Sequence, residues 1–375
     1  MAKRKRKVSR SSEEARQTCG RRYYYNYECE GTGLDTPVQG LKLLIGQGVH
    51  SGLERAMKDL MHSQKLAREG KEGTFLVSPT VCAGDGRAEF EKLTVPHKHA
   101  WENDAKLLSE LEENSLLVFA LVYSWVKYEL PRFAERFEVL QVEEELETPL
   151  SPTVILQSRL DVLVREKATG LVYVINWKTA DKKDPEKLMD GFRYNSQMWA
   201  EALAAEQFLG EEVQGTICIV LYKGVIRYGN HVTPLLYAYT KNGTIKPSYT
   251  SGWQKVRVDQ LQGGLVGWLD SLDPEVIHAN FITLDPILKV NKVVEERLEG
   301  WVYREDQAGY VLENGSEAEK LLHFSARDGY WCNWCPFQEP CYGRATLTEM
   351  LESGRLVKRV DHHAKGGDDG AVSEQ

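Results

Sequence analysis

The sequence lacks long apolar runs. None of its 375 residues lies in a stretch that approaches the length of a transmembrane helix, and the N-terminus carries no apolar signal core. We therefore expect a cytoplasmic protein with no membrane partner. Hydrophobic residues make up 42% of the chain and charged residues 27%, which is typical of a globular protein with a sizeable core.

The sequence also lacks an excess of positive charge. Its formal net charge is −8, so a nucleic-acid surface would require local basic patches that outweigh the average. The strongest basic run is Lys3-Arg4-Lys5-Arg6-Lys7, and we predict a flexible basic arm over residues 1–10. Such an arm is usually solvated, and it could also contact nucleic acid.

Cysteine is scarce, with seven in the chain. Without a secretory signal, these favour reduced thiols or metal ligands over disulfides. Cys332, Cys335 and Cys341 form the spacing C-x2-C-x5-C, and thiolates this close on a turn can converge on one metal centre. Three ligands leave a fourth to be found. Cys19 is the first candidate and Cys29 its main rival.

The middle of the chain predicts a β-hairpin. Two apolar runs, 160–164 and 171–175, flank a polar segment that contains a glycine. Asp161 lies early on the first strand, and Lys178 lies at the end of the second with Asn176 two residues before it. Because alternate residues share one face of a strand, Asn176 and Lys178 point the same way. Pairing of the strands could bring Asp161 beside them.

Apolar periodicity and turn residues predict the surrounding elements. Ser11 or Ser12 is expected to cap a first helix, and Pro131 is expected to end a long one. Residues 62–103 are polar and predict an irregular insertion. The order of strands and helices favours an α/β fold with a mixed central sheet flanked by helices. The predicted helices are 41–60, 104–128, 188–209, 258–269 and 290–303, and the predicted strands are 137–146, 213–222 and its hairpin partner 225–228.

The hairpin resembles the core of the PD-(D/E)XK nuclease superfamily, in its RecB-like branch. There, an Asp on one strand and an acid two residues before a Lys on the next bind a divalent metal. Ser158 stands where that branch often has glycine, and Lys178-Thr179 matches its usual ending. The resemblance implies a Mg²⁺ or Mn²⁺ site that includes Asp161 and position 176.

Two helical residues extend the resemblance. His50 follows Gly46 in a Gly-x-x-x-His pattern, whose His joins the metal site in the family, although a lone helical His is more often structural. Gln197 matches the Gln of the Gln-x-x-x-Tyr motif, with Glu201 in place of the Tyr. One carboxylate of the run 143–145 could also reach the metal. The implied metal ligands are His50, Asp161 and Asn176, and the implied catalytic residues are Asp161, Asn176, Lys178 and Gln197.

Asn176 departs from the family pattern, because it stands where the metal-binding acid belongs. A neutral amide offers an oxygen but lacks the charge that a hard cation prefers. We therefore predict weak or absent cleavage by this sequence, and restored cleavage in Asn176→Asp. The acid was either lost naturally or replaced to trap a substrate complex.

The cysteines resemble those of the iron–sulfur members of the RecB-like nucleases, which include AddB-type nuclease modules and CRISPR-associated exonucleases. In these, a lone N-terminal Cys joins three clustered near the C-terminus. Gly20 replaces the proline common after the lone Cys. The resemblance implies a 4Fe–4S cluster that joins the two ends of one nuclease domain over 11–345, and zinc is the alternative. The implied ligands are Cys19, Cys332, Cys335 and Cys341.

The function implied by the resemblance is metal-dependent hydrolysis of DNA. We expect an exonuclease that acts on DNA ends or single strands, with Lys182 and Lys183 among the residues that contact DNA. The alternative is a non-catalytic DNA-binding or structural subunit that works with recombination, phage or CRISPR adaptation proteins. After the nuclease domain, residues 346–375 are predicted to form the end of a helix and a flexible tail.

Overall fold

The computed structural model divides the chain into two compact units. The terminal unit comprises Met1–Val38, Glu147–Ser158 and Lys292–Gln375, and the middle unit comprises Gln39–Leu146 and Arg159–Asn291. The residues that the structure describes are 5–37, 40–71, 77–181, 184–193, 195–224, 226–228, 231–233, 235–241, 244–246, 254–327, 332–333 and 335–359.

The described residues form the following elements. The strands are β1 (Arg6–Ser9), β2 (Leu34–Asp35), β3 (Phe137–Pro149), β4 (Val154–Glu166), β5 (Val172–Ala180), β6 (Val213–Tyr222), β7 (Ile226–Tyr228), β8 (His231–Thr233), β9 (Tyr237–Lys241), β10 (Thr244–Lys246), β11 (Gln254–Arg257), β12 (Phe281–Thr283), β13 (Ile287–Leu288) and β14 (Val357–Lys358). The helices are α1 (Arg10–Thr18), α2 (Gly20–Tyr23), α3 (Leu41–Arg68), α4 (Pro79–Leu93), α5 (Val95–Ala100), α6 (Ala105–Ser124), α7 (Leu130–Arg136), α8 (Pro185–Arg193), α9 (Ser196–Leu209), α10 (Gly264–Ser271), α11 (Pro274–His278), α12 (Asn291–Asn314), α13 (Glu317–His323), α14 (Gln338–Cys341) and α15 (Leu347–Glu352). Short π-helices span Tyr24–Glu28 and Trp125–Glu129, and 3-10 turns span Cys29–Gly31 and Val258–Gln260.

The middle unit is organised around a mixed sheet. The predicted hairpin is confirmed, since β4 and β5 pair antiparallel with Val162 opposite Ile175. β5 and β6 pair in parallel, which requires a crossover connection, and α8 and α9 supply it. β12 and β13 pair antiparallel with β6. The fold is therefore α/β with a mixed central sheet flanked by helices, as the sequence predicted.

Strand β5 is buried on both faces. Ile175 and Trp177 pack into a large core with residues of α3, α4 and α6. Val174 packs on the other face with Ala202 and Ala205 of α9. A strand covered on both sides reads as one continuous apolar run rather than as an alternation. This explains why the polar residues of β5 stand out in the sequence.

The described residues of 62–103 are mostly helical, so the predicted irregular insertion is wrong there. α3 continues to Arg68, and α4 packs against it through facing glycines. A Cβ on Gly86 would lie 2.7 Å from the carbonyl oxygen of Gly48, and one on Gly52 would lie 2.8 Å from that of Cys82. The missing side chains let the two helices approach closely. The helix that carries His50 is held in place by this contact.

Several predicted boundaries in the middle unit are also wrong. α6 ends at Ser124, but the chain continues as the π-helix Trp125–Glu129 into α7, which contains Pro131, so Pro131 does not end the helical run. The helix predicted over 188–209 is two helices, and Asn195 caps the second. The prediction that β7 pairs with β6 is wrong, because β7 pairs with β8.

The terminal unit orders part of the predicted basic arm. β1 pairs in parallel with residues 154–157 of β4. The prediction of a flexible arm is therefore wrong from Arg6 onward. Ser9 caps α1, with Ser12 completing a capping box as the third helical residue. The cap therefore lies before the predicted positions. The helix predicted after residue 345 is confirmed as α15, whereas the predicted tail is wrong at Val357 and Lys358, because β14 pairs with β2.

Aromatic side chains form the core of the terminal unit. Tyr23, Tyr24 and Tyr25 are buried with Phe324 and Phe337. The side chains of Tyr24 and Phe324 stack with ring centroids 5.3 Å apart. These contacts join the chain segment near the N-terminus to the segment near the C-terminus. In the described part of the chain, no helix combines the length and the apolar character needed to cross a bilayer.

Candidate functional site

His50 and Asp161 meet at the end of the β4–β5 hairpin. Trp177 donates its backbone N–H to Asp161 Oδ2 at 2.8 Å, and His50 Nε2 lies 3.0 Å from the carbonyl oxygen of Trp177. A carbonyl only accepts, so Nε2 carries the proton and a neutral ring leaves the lone pair on Nδ1. That atom lies 3.5 Å from Asp161 Oδ1. The two groups thus turn electron pairs towards each other.

The charges of the pair favour a proton between the two facing atoms. Burial disfavours the charged form of His50, but the adjacent Asp161 carboxylate outweighs it and raises the pKa of His50. Burial likewise opposes ionisation of Asp161, but His50, Lys178 and the backbone N–H of Trp177 together outweigh it and lower the pKa of Asp161. A proton shared across this gap can be replaced by a cation that both groups bind.

Glu143 provides a second carboxylate. Ligand atoms of His50, Glu143 and Asp161 all lie within 4.8 Å of one another. One imidazole nitrogen and two carboxylates suit a divalent cation. Burial, together with the charge of Asp161, raises the pKa of Glu143 to about 7. The crowding of negative charge that contributes to this shift is what a cation would relieve.

The backbone of Glu143 supports its assignment to the site. Its φ is 50°, and among the described residues it is the only non-glycine with a positive φ. Such a conformation costs free energy and persists only where the surroundings impose it. Arg159 donates from Nε to Glu143 Oε2 at 2.5 Å, which orients the carboxylate.

Lys178 follows Trp177 on β5 and is held by helix α9. Its Nζ donates to Gln197 Oε1 at 3.2 Å. Gln197 is the second residue of α9, and its N–H is capped by Asn195 Oδ1 at 2.9 Å. The hydroxyl of Thr216 donates to the carbonyl of Met198 and anchors this turn to β6. The amide that holds Lys178 therefore sits at a fixed helix end.

Asn176 is fully buried and contacts two residues of α9. Its Nδ2 donates to Glu201 Oε2 in a short hydrogen bond, and its Oδ1 accepts from Gln197 Nε2 at 3.3 Å. Gln197 Nε2 also donates to Glu201 Oε1 at 2.6 Å. Both oxygens of Glu201 thus accept from amide groups.

The structure brings most of the predicted residues together. His50 and Asp161 form one cluster, and Asn176, Lys178 and Gln197 form a connected hydrogen-bond network beside it. Lys182 and Lys183, predicted to contact DNA, lie outside the described residues.

Sequence reasoning undervalued two carboxylates. Glu143 lies in a run of three glutamates, and only its burial and backbone conformation distinguish it from the others. Glu201 stands out in the sequence only as a departure from the family motif. The signal that could have found it is its spacing, because residues four apart on a helix share a face and Glu201 follows Gln197 by four.

The four predicted cysteine ligands line a single pocket in the terminal unit. Cys19 lies between α1 and α2, while Cys332 and Cys335 lie on a turn in which the N–H of Cys335 donates to the carbonyl of Cys332 at 3.2 Å. Cys341 ends α14, and arginine side chains line the same pocket. Four thiols from two distant parts of the sequence are thus gathered at one place.

Burial and nearby positive charge act on these thiols in opposite directions. Burial raises the pKa of the Cys335 and Cys341 thiols, while Arg22 near the first and Arg21 near the second oppose this rise. A thiol must lose its proton to bind a metal centre, and the neighbouring arginines favour the thiolate form. Cys29, the rival fourth ligand, is buried among the aromatic residues of the core and does not line the pocket.

Comparison with known families gives a match that covers most of the chain. The model of the PD-(D/E)XK nuclease superfamily matches residues 7–342. No curated protein matches the chain significantly.

Proposed function

This chain belongs to the PD-(D/E)XK nuclease superfamily, and we propose that it is a metal-dependent nuclease that cleaves DNA at ends or in single strands. The observation that carries the proposal is the convergence of His50, Glu143 and Asp161, next to a lysine held by hydrogen bonds. The superfamily implies a metal-dependent hydrolase. The choice of DNA and of exonuclease action is our proposal.

His50, Glu143 and Asp161 would hold Mg²⁺ or Mn²⁺, with Asn176 as a further neutral oxygen donor. When bound, the cation would lower the pKa of a coordinated water and neutralise phosphate charge. The backbone N–H of Trp177 keeps Asp161 oriented. Lys178 would place its ammonium against the charge that develops on the phosphate. The contact with Gln197 limits the positions that this ammonium can take.

A labelled-DNA digest with Mg²⁺ or Mn²⁺ tests the proposal. We expect cleavage that is lost on chelation and in Asp161→Asn, and retained in the control Asp190→Asn, which changes an exposed carboxyl of α8. Because an amide at position 176 leaves the cation with less negative charge, we expect slow cleavage that Asn176→Asp accelerates.

The second candidate function is DNA binding without cleavage, and the amide of Asn176 favours it. A neutral residue at this position would allow a protein that keeps the fold and the DNA-binding surface but not the chemistry. If Asn176→Asp folds and binds Mn²⁺ yet leaves DNA intact, the non-catalytic subunit becomes the better assignment.

We also propose that Cys19, Cys332, Cys335 and Cys341 hold a 4Fe–4S cluster. The support is the shared pocket and the three-plus-one arrangement of ligands, which differs from the two close pairs usual in zinc ribbons. The ligands come from both ends of the chain, so the cluster would stabilise the terminal unit.

Anaerobic purification followed by visible absorption and metal analysis tests the cluster. A brown protein is expected, with colour lost in Cys19→Ala and Cys332→Ala. Cys29→Ala is the matched control, because that thiol is buried outside the pocket. A colourless protein with stoichiometric zinc would replace the cluster by a zinc site, and loss of colour in Cys29→Ala would reassign the fourth ligand.

A further inference from the structure

The hydrogen bonds around Glu201 fix the directions of the Gln197 and Asn176 side-chain amides. A carboxylate only accepts hydrogen bonds. Gln197 must therefore turn its NH₂ group towards Glu201, and its oxygen is left to accept from Lys178 at 3.2 Å. Asn176 must likewise turn its NH₂ group towards Glu201. Both amides thus point their NH₂ groups towards Glu201, which determines the direction of each hydrogen bond in the network.

The burial of the pair explains why an amide occupies position 176. Asn176 has 0% and Glu201 6% of its surface exposed. A buried carboxylate requires donors, and Asn176 and Gln197 each supply one. An aspartate at position 176 would instead place two carboxylates within hydrogen-bonding distance in a buried site, which disfavours ionisation of both unless a bound cation offsets their repulsion. Asn176 is therefore the side chain that suits Glu201.

We infer that Asn176 and Glu201 are a matched pair in which the buried acid stands on helix α9 instead of on strand β5. Glu201 is a positioning residue: it orients the Gln197 amide, which in turn holds the Lys178 ammonium. The inference rests on the proposed function for the role of Lys178, but the pairing itself follows from hydrogen bonding and burial. It also means that the amide at position 176 belongs to a consistent network.

Glu201→Gln removes the acceptor that orients Gln197. An amide at position 201 lets the Gln197 side chain rotate and turn its NH₂ group towards Lys178, where two donors face each other. We expect kcat for DNA cleavage to fall about tenfold or more with KM nearly unchanged, because positioning of one donor affects the reaction more than DNA binding. Glu206→Gln is the matched control on the same helix. Its carboxylate contacts Lys289, and we expect cleavage to be unchanged.

The reciprocal exchange gives the decisive test. Asn176→Asp alone should lower the melting temperature by several degrees, because the new carboxylate faces Glu201. In the double variant Asn176→Asp/Glu201→Gln that loss should disappear, since one carboxylate again faces one amide. Cleavage by the double variant should equal or exceed that of the unmodified chain, because the carboxylate at position 176 can replace Glu201 as the acceptor for Gln197 Nε2, which already donates to the Asn176 oxygen at 3.3 Å. This rescue separates a matched pair from two residues that merely contribute to packing.

The outcomes distinguish the pairing from the nuclease assignment. If Asn176→Asp changes the melting temperature equally in the unmodified chain and in Glu201→Gln, the pairing is overturned. Unchanged kcat in Glu201→Gln would overturn the positioning role. Coupled melting temperatures with no cleavage by any of the four forms would support the pairing and overturn the nuclease function on which the positioning role depends.

Discussion

At the scale of single residues, the site depends on groups that can only donate or only accept. The Trp177 backbone orients Asp161 and His50, and Glu201 orients the amides of Gln197 and Asn176. Because each such partner leaves one permitted direction, the site is fixed before any ligand binds. Removing a single group can therefore lower the rate of cleavage without changing DNA affinity, or lower the affinity for the cation.

Lys178→Ala should greatly slow cleavage and preserve DNA binding. The change removes one charge near the phosphate, and we expect a loss in rate of about 10²–10³-fold. DNA affinity depends on many phosphate contacts and should change little. Rates and salt-dependent affinities are to be measured in the most active form of the protein. Lys71→Ala, at an exposed lysine paired with Glu69, is the control. Unchanged cleavage in Lys178→Ala would remove the central residue of the nuclease assignment.

Glu143→Gln should weaken cation binding. The variant keeps the shape of the side chain but removes one of two carboxylates that face the cation, so we expect the affinity for Mn²⁺ to fall by about tenfold or more. Titration calorimetry or electron paramagnetic resonance of Mn²⁺ measures this affinity independently of cleavage. The exposed neighbour provides the control Glu145→Gln, and equal affinities in both variants would exclude Glu143 from the metal site.

At the scale of elements, two helices deliver the functional side chains to the sheet. α3 carries His50 and is fixed by its glycine contacts with α4, while α9 carries Gln197 and Glu201 and packs on β5 and β6. Region 62–103 therefore contributes to function indirectly, because its helix α4 supports the helix that presents His50. The same contact predicts which glycines tolerate a side chain.

Gly52→Ala should destabilise the protein, and Gly84→Ala should not. A Cβ on Gly52 would meet Cys82 O and Val122 Cγ1 at 2.8 Å, whereas one on Gly84 has no atom within 4 Å. We expect a loss of about 1–3 kcal/mol for the first and a gain of up to about 1 kcal/mol for the second. Chemical denaturation of both variants measures the difference. Similar stabilities would mean that α3 and α4 are not in close contact.

At the scale of the whole molecule, both ends of the chain belong to one unit. Arg6 donates to Glu28 and Glu305, and Arg16 reaches the same Glu305, whose side chain is fully buried. Tyr23 adds its hydroxyl to this network. A segment that looks like a solvated basic arm is thus partly committed to the core of the terminal unit. Deleting the first seven residues would remove Arg6 and test folding together with DNA binding.

Arg6→Ala should destabilise the terminal unit far more than Lys7→Ala. The first change removes a donor from the carboxylates of Glu28 and Glu305, at a cost of about 1–3 kcal/mol. Lys7 forms an exposed ion pair with Glu147, and its loss should cost less than about 1 kcal/mol. Denaturation of the two neighbouring variants provides the comparison. A larger loss in Lys7→Ala would contradict the network.

The sequence by itself determined the hairpin and the mixed sheet, because the alternation along strands and the order of the elements are local properties. The sequence grouped Asp161, Asn176, Lys178 and Gln197 only through their resemblance to the motifs of the nuclease family. It also determined the three-plus-one spacing of the cysteines. The placement of Cys19, and not Cys29, in the pocket required the structure.

Tertiary structure decided which charged residues belong to the candidate site and to the buried ion-pair network. Glu143 is one of three adjacent glutamates, and Glu201 is one of several acids in its region, until burial and long-range contacts select them. Arg6 is likewise held in the terminal unit in part by its ion pair with Glu305, 299 positions away. The physical reason is that the free energy of a buried charge depends on its partners in space, and those partners are not encoded in the neighbouring sequence.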